Sequence, residues 1–258
     1  MSAMAEEVES LLSELSNQTS EVHGKRTYYK GRLFNTVDVV IVFSRWGKVA
    51  ASATTAILIE RYNCTEIIFT GVAGGVQHGL NVGDVVVANR LVQHDMNATP
   101  IFKRFEIPLL GVTEFATSDC RREQLIKAAT TFVAAAAADD DDDNGVGLDN
   151  MISKEQRQKF HIAKPKVITG LVASGDKFFA SKEDLDQLRN DLPECACVEM
   201  EGAAVAQVCN EHDIPFSIVR VISDSADDSA HIDFQAFVKE IATVYSHGIL
   251  ELALTTSR

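Results

Sequence analysis

The sequence predicts an α/β protein with a single domain spanning residues 1–258, in which helices flank both faces of a mixed, mostly parallel, twisted sheet. Three observations lead to this prediction. Short apolar segments rich in β-branched residues alternate with segments whose apolar residues recur at helical spacing. The 258 residues, 46% of them hydrophobic, can bury a complete core. Glycine, aromatic and acidic residues follow several predicted strands, where such sheets bind ligands.

Two helices, a hairpin and two further strands are expected in the first half of the chain. Apolar residues at helical spacing predict helices over residues 5–15 and 46–61. Residues 28–33 and 37–43, separated by Asn35 and Thr36, predict a hairpin. Strands are predicted at residues 66–70 and 85–88. The glycines of residues 71–75 follow the first of them and predict a backbone that a ligand approaches closely.

The second half continues the alternation after an acidic insertion. A helix is predicted from residue 119 to 138, and the low-complexity residues 139–147, which begin with the run Asp139 to Asp143, predict a disordered surface insertion. The acidic insertion as a whole spans about residues 134–150. Helices are then expected at residues 153–160, 182–190, 200–212 and 234–253, and strands at residues 167–173, 196–198 and 216–222.

Composition argues against several classes of partner and location. The net charge of −13 disfavours nucleic acid and anionic membrane surfaces, since both require a basic face. The five cysteines are an odd number without zinc-type spacing, which predicts reduced thiols. No signal-like segment opens the chain, and no apolar stretch reaches about eighteen residues. We therefore expect a soluble, cytoplasmic protein.

Motif spacing argues against dinucleotide, P-loop, metal and serine-hydrolase chemistry. The glycines of residues 71–75 lack the G-x-G-x-x-G spacing, and neither a P-loop nor a G-x-S-x-G sequence occurs. The histidines are scattered without zinc-ligand spacing, so no metal and no cofactor are expected. The pair His94 and Asp95 suggests a catalytic dyad, but a histidine at a strand end is more often structural.

Three carboxylates at strand-to-helix junctions suit cleavage of a glycosidic bond, in which an acid protonates the leaving group and a base activates water. Asp224 follows a buried strand, an environment that favours a protonated carboxyl. Glu199 and Glu201 stand two positions apart, so one of the two is expected to reach the ligand. The alternative is that these acids only complement helix N-termini.

Five motifs, in order, resemble those of 5′-methylthioadenosine/S-adenosylhomocysteine nucleosidases, members of the purine nucleoside phosphorylase and uridine phosphorylase superfamily. The resemblance covers nearly the whole chain apart from the aspartate run, and it implies hydrolysis of either nucleoside to adenine and a thioribose product. The motifs are AMAEE at residues 3–7, TGVAGG at 70–75, SGDKFF at 174–179, VEMEGA at 198–203 and VRVISD at 219–224.

The resemblance also implies roles for single residues. Asp224 donates a proton to adenine N7, Glu7 is the general base for the attacking water, Glu201 holds the ribose hydroxyls, and Arg220 lies near that water. The substrate-binding residues implied are Phe178, stacked on adenine; Phe179, whose backbone contacts the base edge; Met200, packed under the ribose; Trp46 and Phe234, in the alkylthio pocket; Gly74, whose backbone meets the ligand; and Met4, Glu199 and Ser223.

Departures from the family pattern leave alternatives open. Val72 stands where relatives often carry a hydroxyl residue. The family's first strand precedes the motif of residues 3–7, so we expect either a truncated chain or a sheet that lacks this strand and anchors Glu7 poorly. Phosphorylase relatives carry arginine at the position of Phe69, which favours water as the nucleophile. A phosphate-dependent phosphorylase and a non-catalytic nucleoside-binding protein remain alternatives.

The resemblance further implies a homodimer. In this family a neighbouring subunit closes the pocket, and the corresponding residues are expected near Ile101 and Phe102.

Overall fold

The computed structural model describes residues 1–134, 146–224 and 230–256. Its strands form two sheets. An antiparallel sheet contains, in sequence order, β1 (Leu15–His23), β2 (Arg26–Leu33) and β3 (Val37–Ile41). A larger sheet has the order β6-β5-β7-β8-β4-β9 and contains β4 (Ile67–Gly75), β5 (Val85–Gln93), β6 (Glu114–Ala116), β7 (Val167–Ser174), β8 (Cys195–Glu199) and β9 (Phe216–Asp224).

The larger sheet is mixed and closes on itself. Its long ladders, β4 with β9 and β5 with β7, are parallel, as is the shorter pairing of β7 with β8. The pairings of β5 with β6, β4 with β8 and β5 with β9 are short and antiparallel. Because β5 contacts both β7 and β9, strands β5, β7, β8, β4 and β9 form a closed ring. The expected mixed α/β architecture is confirmed, with more antiparallel pairing than the sequence suggested.

Helices bury the two sides of this ring. α2 packs with α7 in one hydrophobic cluster, and α3 packs with α9 in another. The described helices are α1 (Glu9–Ser13), α2 (Lys48–Glu60), α3 (Asp119–Ala134), α4 (Leu148–Met151), α5 (Lys154–Lys159), α6 (Lys182–Asp191), α7 (Gly202–Glu211), α8 (Ala230–Phe237) and α9 (Thr243–Thr255), with a π-helical turn at Val238–Ala242 between the last two. Within the described residues, no helix has the length and apolar character needed to cross a membrane.

The prediction of a helix over residues 5–15 is largely wrong. Only Glu9–Ser13 is helical, and Leu15 begins β1, which pairs with β2. Most side chains of β1 are exposed, so the strand has no alternation of apolar and polar residues for a pattern to detect. It is held mainly by its backbone ladder to β2. The predicted hairpin is confirmed as β2 and β3.

The glycines of residues 71–75 lie within β4 rather than after it. A Cβ atom at Gly71 would lie 2.7 Å from both Arg220 Nη1 and Glu7 Oε1. The glycine therefore leaves room for neighbouring charged side chains in the sheet, where the sequence suggested room for a ligand.

The predicted acidic insertion lies partly outside the described residues, and the run Asp139 to Asp143 falls there entirely. Helix α3 ends at Ala134, and Leu148, at the start of α4, is fully buried. The packed chain therefore resumes directly after the residues predicted to be disordered. All five cysteines are free, as expected.

Residues 1–3 connect the two sheets. The Met1 amino group donates to the Ile68 carbonyl oxygen at 2.9 Å, and Thr70 N donates to the Met1 oxygen at 3.1 Å. On the other side, Ser2 N donates to the Val42 oxygen at 3.2 Å. This short extended segment thus lies between the end of β3 and β4 and leads directly to Glu7.

Candidate active site

Every residue to which the resemblance gave a catalytic or substrate-binding role lies around one pocket, whereas His94 and Asp95 lie outside its lining. The pocket contains about 570 Å³ of empty space, part of it open to solvent. Its lining includes Met4, Glu7, Trp46, Gly74, Phe178, Phe179, Glu199, Met200, Glu201, Arg220, Ser223, Asp224 and Phe234.

Sheet pairing explains why these residues meet. The C-terminal ends of β4 and β8 cross, so that Gly74 lies opposite Val198. On the β4 side, Gly74 is also paired with Asp224 at the end of β9. On the β8 side, Ser174 at the end of β7 is paired with Glu199. Four strand ends therefore meet at one point, although the residues are far apart in the sequence.

Glu7 is firmly anchored, and the expectation of poor anchoring is wrong. Its Oε2 accepts hydrogen bonds from the backbone N–H groups of Ala3 (3.1 Å) and Met4 (2.9 Å), and its Oε1 accepts one from Val72 (3.1 Å). Burial nevertheless raises the pKa of Glu7, against the opposing effects of these donors and of Arg220. A buried carboxylate with a raised pKa is suited to general-base chemistry.

Arg220 lies in the middle of the charged groups. Its side chain is 1% exposed, its guanidinium lies 4.2 Å from the centroid of the Phe69 ring, and its Nη2 is 2.5 Å from Glu199 Oε2. Burial lowers the pKa of Arg220, but Glu199, Glu201 and Glu7 outweigh this effect and raise it. Arg220 therefore remains a cation that offsets the buried acids.

Glu199 has a supporting position. Its oxygens accept hydrogen bonds from the Ser174 hydroxyl and from the backbone N–H groups of Glu201 (3.1 Å) and Gly202 (2.9 Å), besides Arg220. It borders the pocket, but these contacts already occupy both oxygens and fix the start of α7. Of the two glutamates, Glu201 is therefore the better placed for a ligand.

Glu201 is nearly buried and makes one backbone contact, accepting a hydrogen bond from Gly47 N at 2.8 Å. Burial and the neighbouring Glu199 raise the pKa of Glu201 to about 8, although Arg220 and Gly47 N–H act in the other direction. Burial and Glu199 both favour the protonated form of this carboxyl. Ligand hydroxyls that donate to it would favour the ionised form.

This raised pKa predicts a pH-dependent stability. Between an ordinary glutamate pKa of 4.5 and about 8, the folded protein keeps a proton that the unfolded chain has released. Wild-type stability is therefore expected to fall across this window as the pH rises. The variant Glu201→Gln has no such proton to lose. As the pH rises across this window, the Tm of the variant minus the Tm of the ligand-free wild type should therefore increase by several degrees. Thermal unfolding at a series of pH values measures this. A Tm difference that does not vary with pH would contradict it.

Asp224 and Ser223 end β9 at the pocket. The Ser223 hydroxyl donates to Asp224 Oδ2 at 2.7 Å and lies 3.4 Å from the Ala73 carbonyl oxygen. This contact orients the Asp224 carboxyl at the strand end, on the same pocket as Glu7 and Glu201.

Aromatic side chains form one wall of the pocket. Phe234 makes edge-to-face contacts with Trp46 (centroids 6.0 Å apart) and with Phe178 (5.7 Å). Trp46 is 50% exposed and Phe178 is 37% exposed, so both present free aromatic surface. Phe179 is buried and packs edge-to-face on His94 at 5.2 Å, which favours the structural interpretation of that histidine.

Sequence analysis missed five further lining residues. All five belong to the motifs quoted above, but none was given a role in the site, because small or apolar side chains carry little chemical signal. Lys177 is the exception, and its ammonium group lies 2.6 Å from Asp184 Oδ1. The five are Ala3, Val72, Ala73, Lys177 and Val198.

Comparison with known proteins identifies the family. The family model described as "Phosphorylase superfamily" matches residues 1–254. The 5′-methylthioadenosine/S-adenosylhomocysteine nucleosidase of Anoxybacillus flavithermus is 32% identical over 251 residues, covering 97% of this chain and 94% of the relative. The nucleosidase of the same name from Geobacillus sp. is 34% identical over 241 residues, covering 93% and 90%.

Solved structures agree with these relatives. The nucleosidase from Neisseria meningitidis in complex with methylthio-immucillin-A has a TM-score of 0.79 and 29% identity, covering 99% of this chain and 96% of that one. The nucleosidase from Colwellia psychrerythraea in complex with adenine has a TM-score of 0.78 and 32% identity, covering 98% and 92%. The chain therefore belongs to the phosphorylase superfamily, and within it to the 5′-methylthioadenosine/S-adenosylhomocysteine nucleosidases.

Proposed function

We propose that this protein hydrolyses the N-glycosidic bond of 5′-methylthioadenosine, S-adenosylhomocysteine or both, releasing adenine and the thioribose product. The observation that carries the proposal is the convergence of Glu7, Glu201 and Asp224 on one pocket with an aromatic wall. Relatives bind methylthio-immucillin-A and adenine, and the aromatic wall offers apolar surface on which a purine base can stack.

In the proposed reaction the carboxyl of Asp224 donates its proton to adenine N7. The bond between C1′ and the base nitrogen breaks, and adenine leaves as a neutral molecule. Ser223, hydrogen-bonded to Asp224, holds the acid in position. Protonation of the leaving group is the step that a dissociating N-glycoside needs most, because the base anion is a poor leaving group.

Water adds to C1′ as positive charge develops on the ribose. Glu7, held by three backbone N–H groups, takes a proton from this water. Glu201 accepts the hydrogen bonds of the ribose hydroxyls and, once ionised, stabilises the cationic ring. Arg220 lies among Glu199, Glu201 and Glu7, and its positive charge lowers the pKa of Glu7, which favours the ionised form that acts as the base.

The remaining residues hold the substrate. Phe178 stacks on adenine, the Phe179 backbone contacts the base edge, and Met200 packs under the ribose. Trp46 and Phe234 face the alkylthio group, and thioether sulfur makes favourable contacts with aromatic rings. Met4 and the backbone of Gly74 complete the pocket.

Water is the proposed nucleophile because the pocket offers little to bind phosphate. Among the described lining residues, the cationic side chains are Arg220 and Lys177, and each is already paired with a carboxylate. Phe69, at the position where phosphorylase relatives carry arginine, is buried beneath Arg220. Phosphate recognition needs cationic or multiple N–H donors that are free to face the anion.

A substrate panel tests the proposal. Methylthioadenosine and S-adenosylhomocysteine are expected to release adenine readily, while inosine and uridine should react at least about a hundredfold more slowly because their bases lack the adenine edge. Chromatographic detection of the free base measures each rate. Tight binding of methylthioadenosine without release of adenine would instead support a non-catalytic nucleoside-binding protein.

The proposal extends to assembly and location. Ile101 (81% exposed) and Leu109 (95% exposed) present apolar side chains on the loop that follows β5. Such a surface is compatible with a homodimer in which this loop reaches the partner's pocket. Free cysteines are compatible with a cytoplasmic protein. The sedimentation mass of the purified chain tests the dimer.

A further inference from the structure

Three charged residues beside the pocket form a closed ring of hydrogen bonds. The backbone N–H of Lys48 donates to Asp176 Oδ1 at 2.7 Å, and the backbone N–H of Asp176 donates to Asp95 Oδ2 at 3.1 Å. Asp95 Oδ1 accepts from Lys48 Nζ at 2.6 Å, which closes the ring. Lys48, Asp95 and Asp176 are called the clasp below. None of the three lines the pocket.

The clasp joins segments that do carry pocket residues. Lys48 is the first residue of α2 and follows Trp46 and Gly47, while Asp176 precedes Lys177, Phe178 and Phe179. Asp95 lies just after β5 and beside His94, on which Phe179 packs. The ring therefore fixes the segment that carries Phe178 and Phe179 relative to the start of α2.

The start of α2 is also tied to the ribose-binding glutamate. Gly47 N donates to Glu201 Oε1 at 2.8 Å, and the next backbone N–H, of Lys48, donates to Asp176. These are first-turn N–H groups that have no partner inside the helix. Two adjacent donors of one helix thus set the spacing between Glu201 and the segment that carries Phe178.

Gly47 fits this arrangement in two ways. Its φ of +94° belongs to a region that residues with a side chain rarely adopt. In addition, a Cβ atom there would lie 3.0 Å from Asp176 Oδ1. A larger residue would therefore press on the clasp as well as strain the backbone.

The energetic contribution of the clasp to folding is expected to be small. Asp176 is exposed and the side chain of Asp95 is 32% exposed, and ion pairs in such positions add little stability. Burial raises the pKa of Asp95, but Lys48 and the N–H of Asp176 outweigh this and hold it below its usual range, so the Asp95 carboxylate stays ionised near neutral pH. Hydrogen bonds that add little to the free energy of unfolding can still fix the relative positions of the segments they join.

We propose that Lys48, Asp95 and Asp176 are positioning residues that hold the Phe178 segment and Glu201 at the spacing an adenine nucleoside requires. This inference rests on the proposed function for its substrate. Displacing a binding group by about 1 Å is enough to reduce a rate substantially, so loss of the ring should be visible in kinetics while the fold remains intact.

The test compares two substitutions at one position. Asp176→Ala removes the acceptor for Lys48 N and should raise KM for methylthioadenosine about tenfold, with kcat changed less than about threefold. Asp176→Asn retains a carbonyl acceptor and should restore KM to within about threefold of wild type. Tm should be nearly unchanged in both. Asp184→Asn, which weakens the separate Lys177 ion pair on the same segment, is the matched control and should behave like wild type.

A double-substitution cycle tests whether the ring acts as a unit. Asp95→Ala and Asp176→Ala each break it, so the double variant should lose little more in kcat/KM than the worse single variant. Multiplicative losses would overturn the proposal, as would an Asp176→Ala variant with wild-type KM.

Fluorescence separates failure of the clasp from failure of the proposed function. Trp46 is the only tryptophan of the chain and directly precedes Gly47, so its emission reports on the start of α2. Titration with methylthio-immucillin-A, the inhibitor bound by relatives, should give a dissociation constant about tenfold weaker for Asp176→Ala than for wild type. If wild type binds this inhibitor without cleaving methylthioadenosine, the proposed function fails. An affinity for the inhibitor that Asp176→Ala leaves unchanged refutes the clasp, whatever the result for turnover.

Discussion

Replacing Asp224 with asparagine is expected to lower kcat for methylthioadenosine hydrolysis by roughly a hundredfold or more, the usual loss for a missing general acid. Asparagine preserves the size of the side chain and can still accept the hydrogen bond that Ser223 donates at 2.7 Å. The change therefore removes the transferable proton while leaving the contact at the strand end in place.

Steady-state kinetics with a second leaving group identifies the cause of this loss. In a p-nitrophenyl 5′-thioriboside the leaving group is p-nitrophenolate, which departs as an anion and needs no proton. Asp224→Asn should therefore slow the hydrolysis of this substrate far less than that of methylthioadenosine. Equal losses on both substrates would indicate misplaced substrate instead of a missing acid. A variant that keeps near-normal rates would remove Asp224 from the mechanism.

Glu7→Gln is expected to reduce kcat by about a hundredfold while adenine still binds. The amide cannot take a proton from water. Binding of adenine should persist because the base contacts proposed for Phe178 and Phe179 lie elsewhere in the pocket.

The pH profile and stability of this variant provide its controls. Since burial raises the pKa of Glu7, the acid limb of kcat in the wild type should lie above that of an ordinary glutamate, and Glu7→Gln should lose that limb. The limb is measured in kcat because the bound ribose hydroxyls favour the ionised form of Glu201. Glu7 accepts three backbone N–H bonds, so Tm must be measured alongside to exclude local unfolding. Unchanged turnover would mean that another group is the base.

Much of the candidate site was predictable because its residues come at strand ends. Asp224 and Glu199 each end a buried strand, and strand ends are where folds of this kind present ligand-binding groups. The roles proposed for single site residues came from the resemblance of the five motifs, because the local sequence pattern does not distinguish an acid from a base or a ribose contact. The location of all these residues around one pocket agrees with both arguments.

Other features depend on contacts that no local pattern encodes. The closed ring of strands requires β5 to pair with β9 as well as β7, and β1 has an exposed surface without alternation. The anchoring of Glu7 uses backbone donors, which every residue possesses. The clasp joins Lys48 to Asp95 and Asp176, which lie 47 and 128 positions further along the chain. Its existence could therefore not be inferred from motif spacing.

The most direct test of the central claim is the initial rate of adenine release from methylthioadenosine, measured in phosphate-free buffer and with added phosphate, together with the mass of the sugar product. The proposed hydrolysis predicts the full rate without phosphate and a free thioribose sugar. A rate that depends on phosphate, with a sugar 1-phosphate as product, would contradict it.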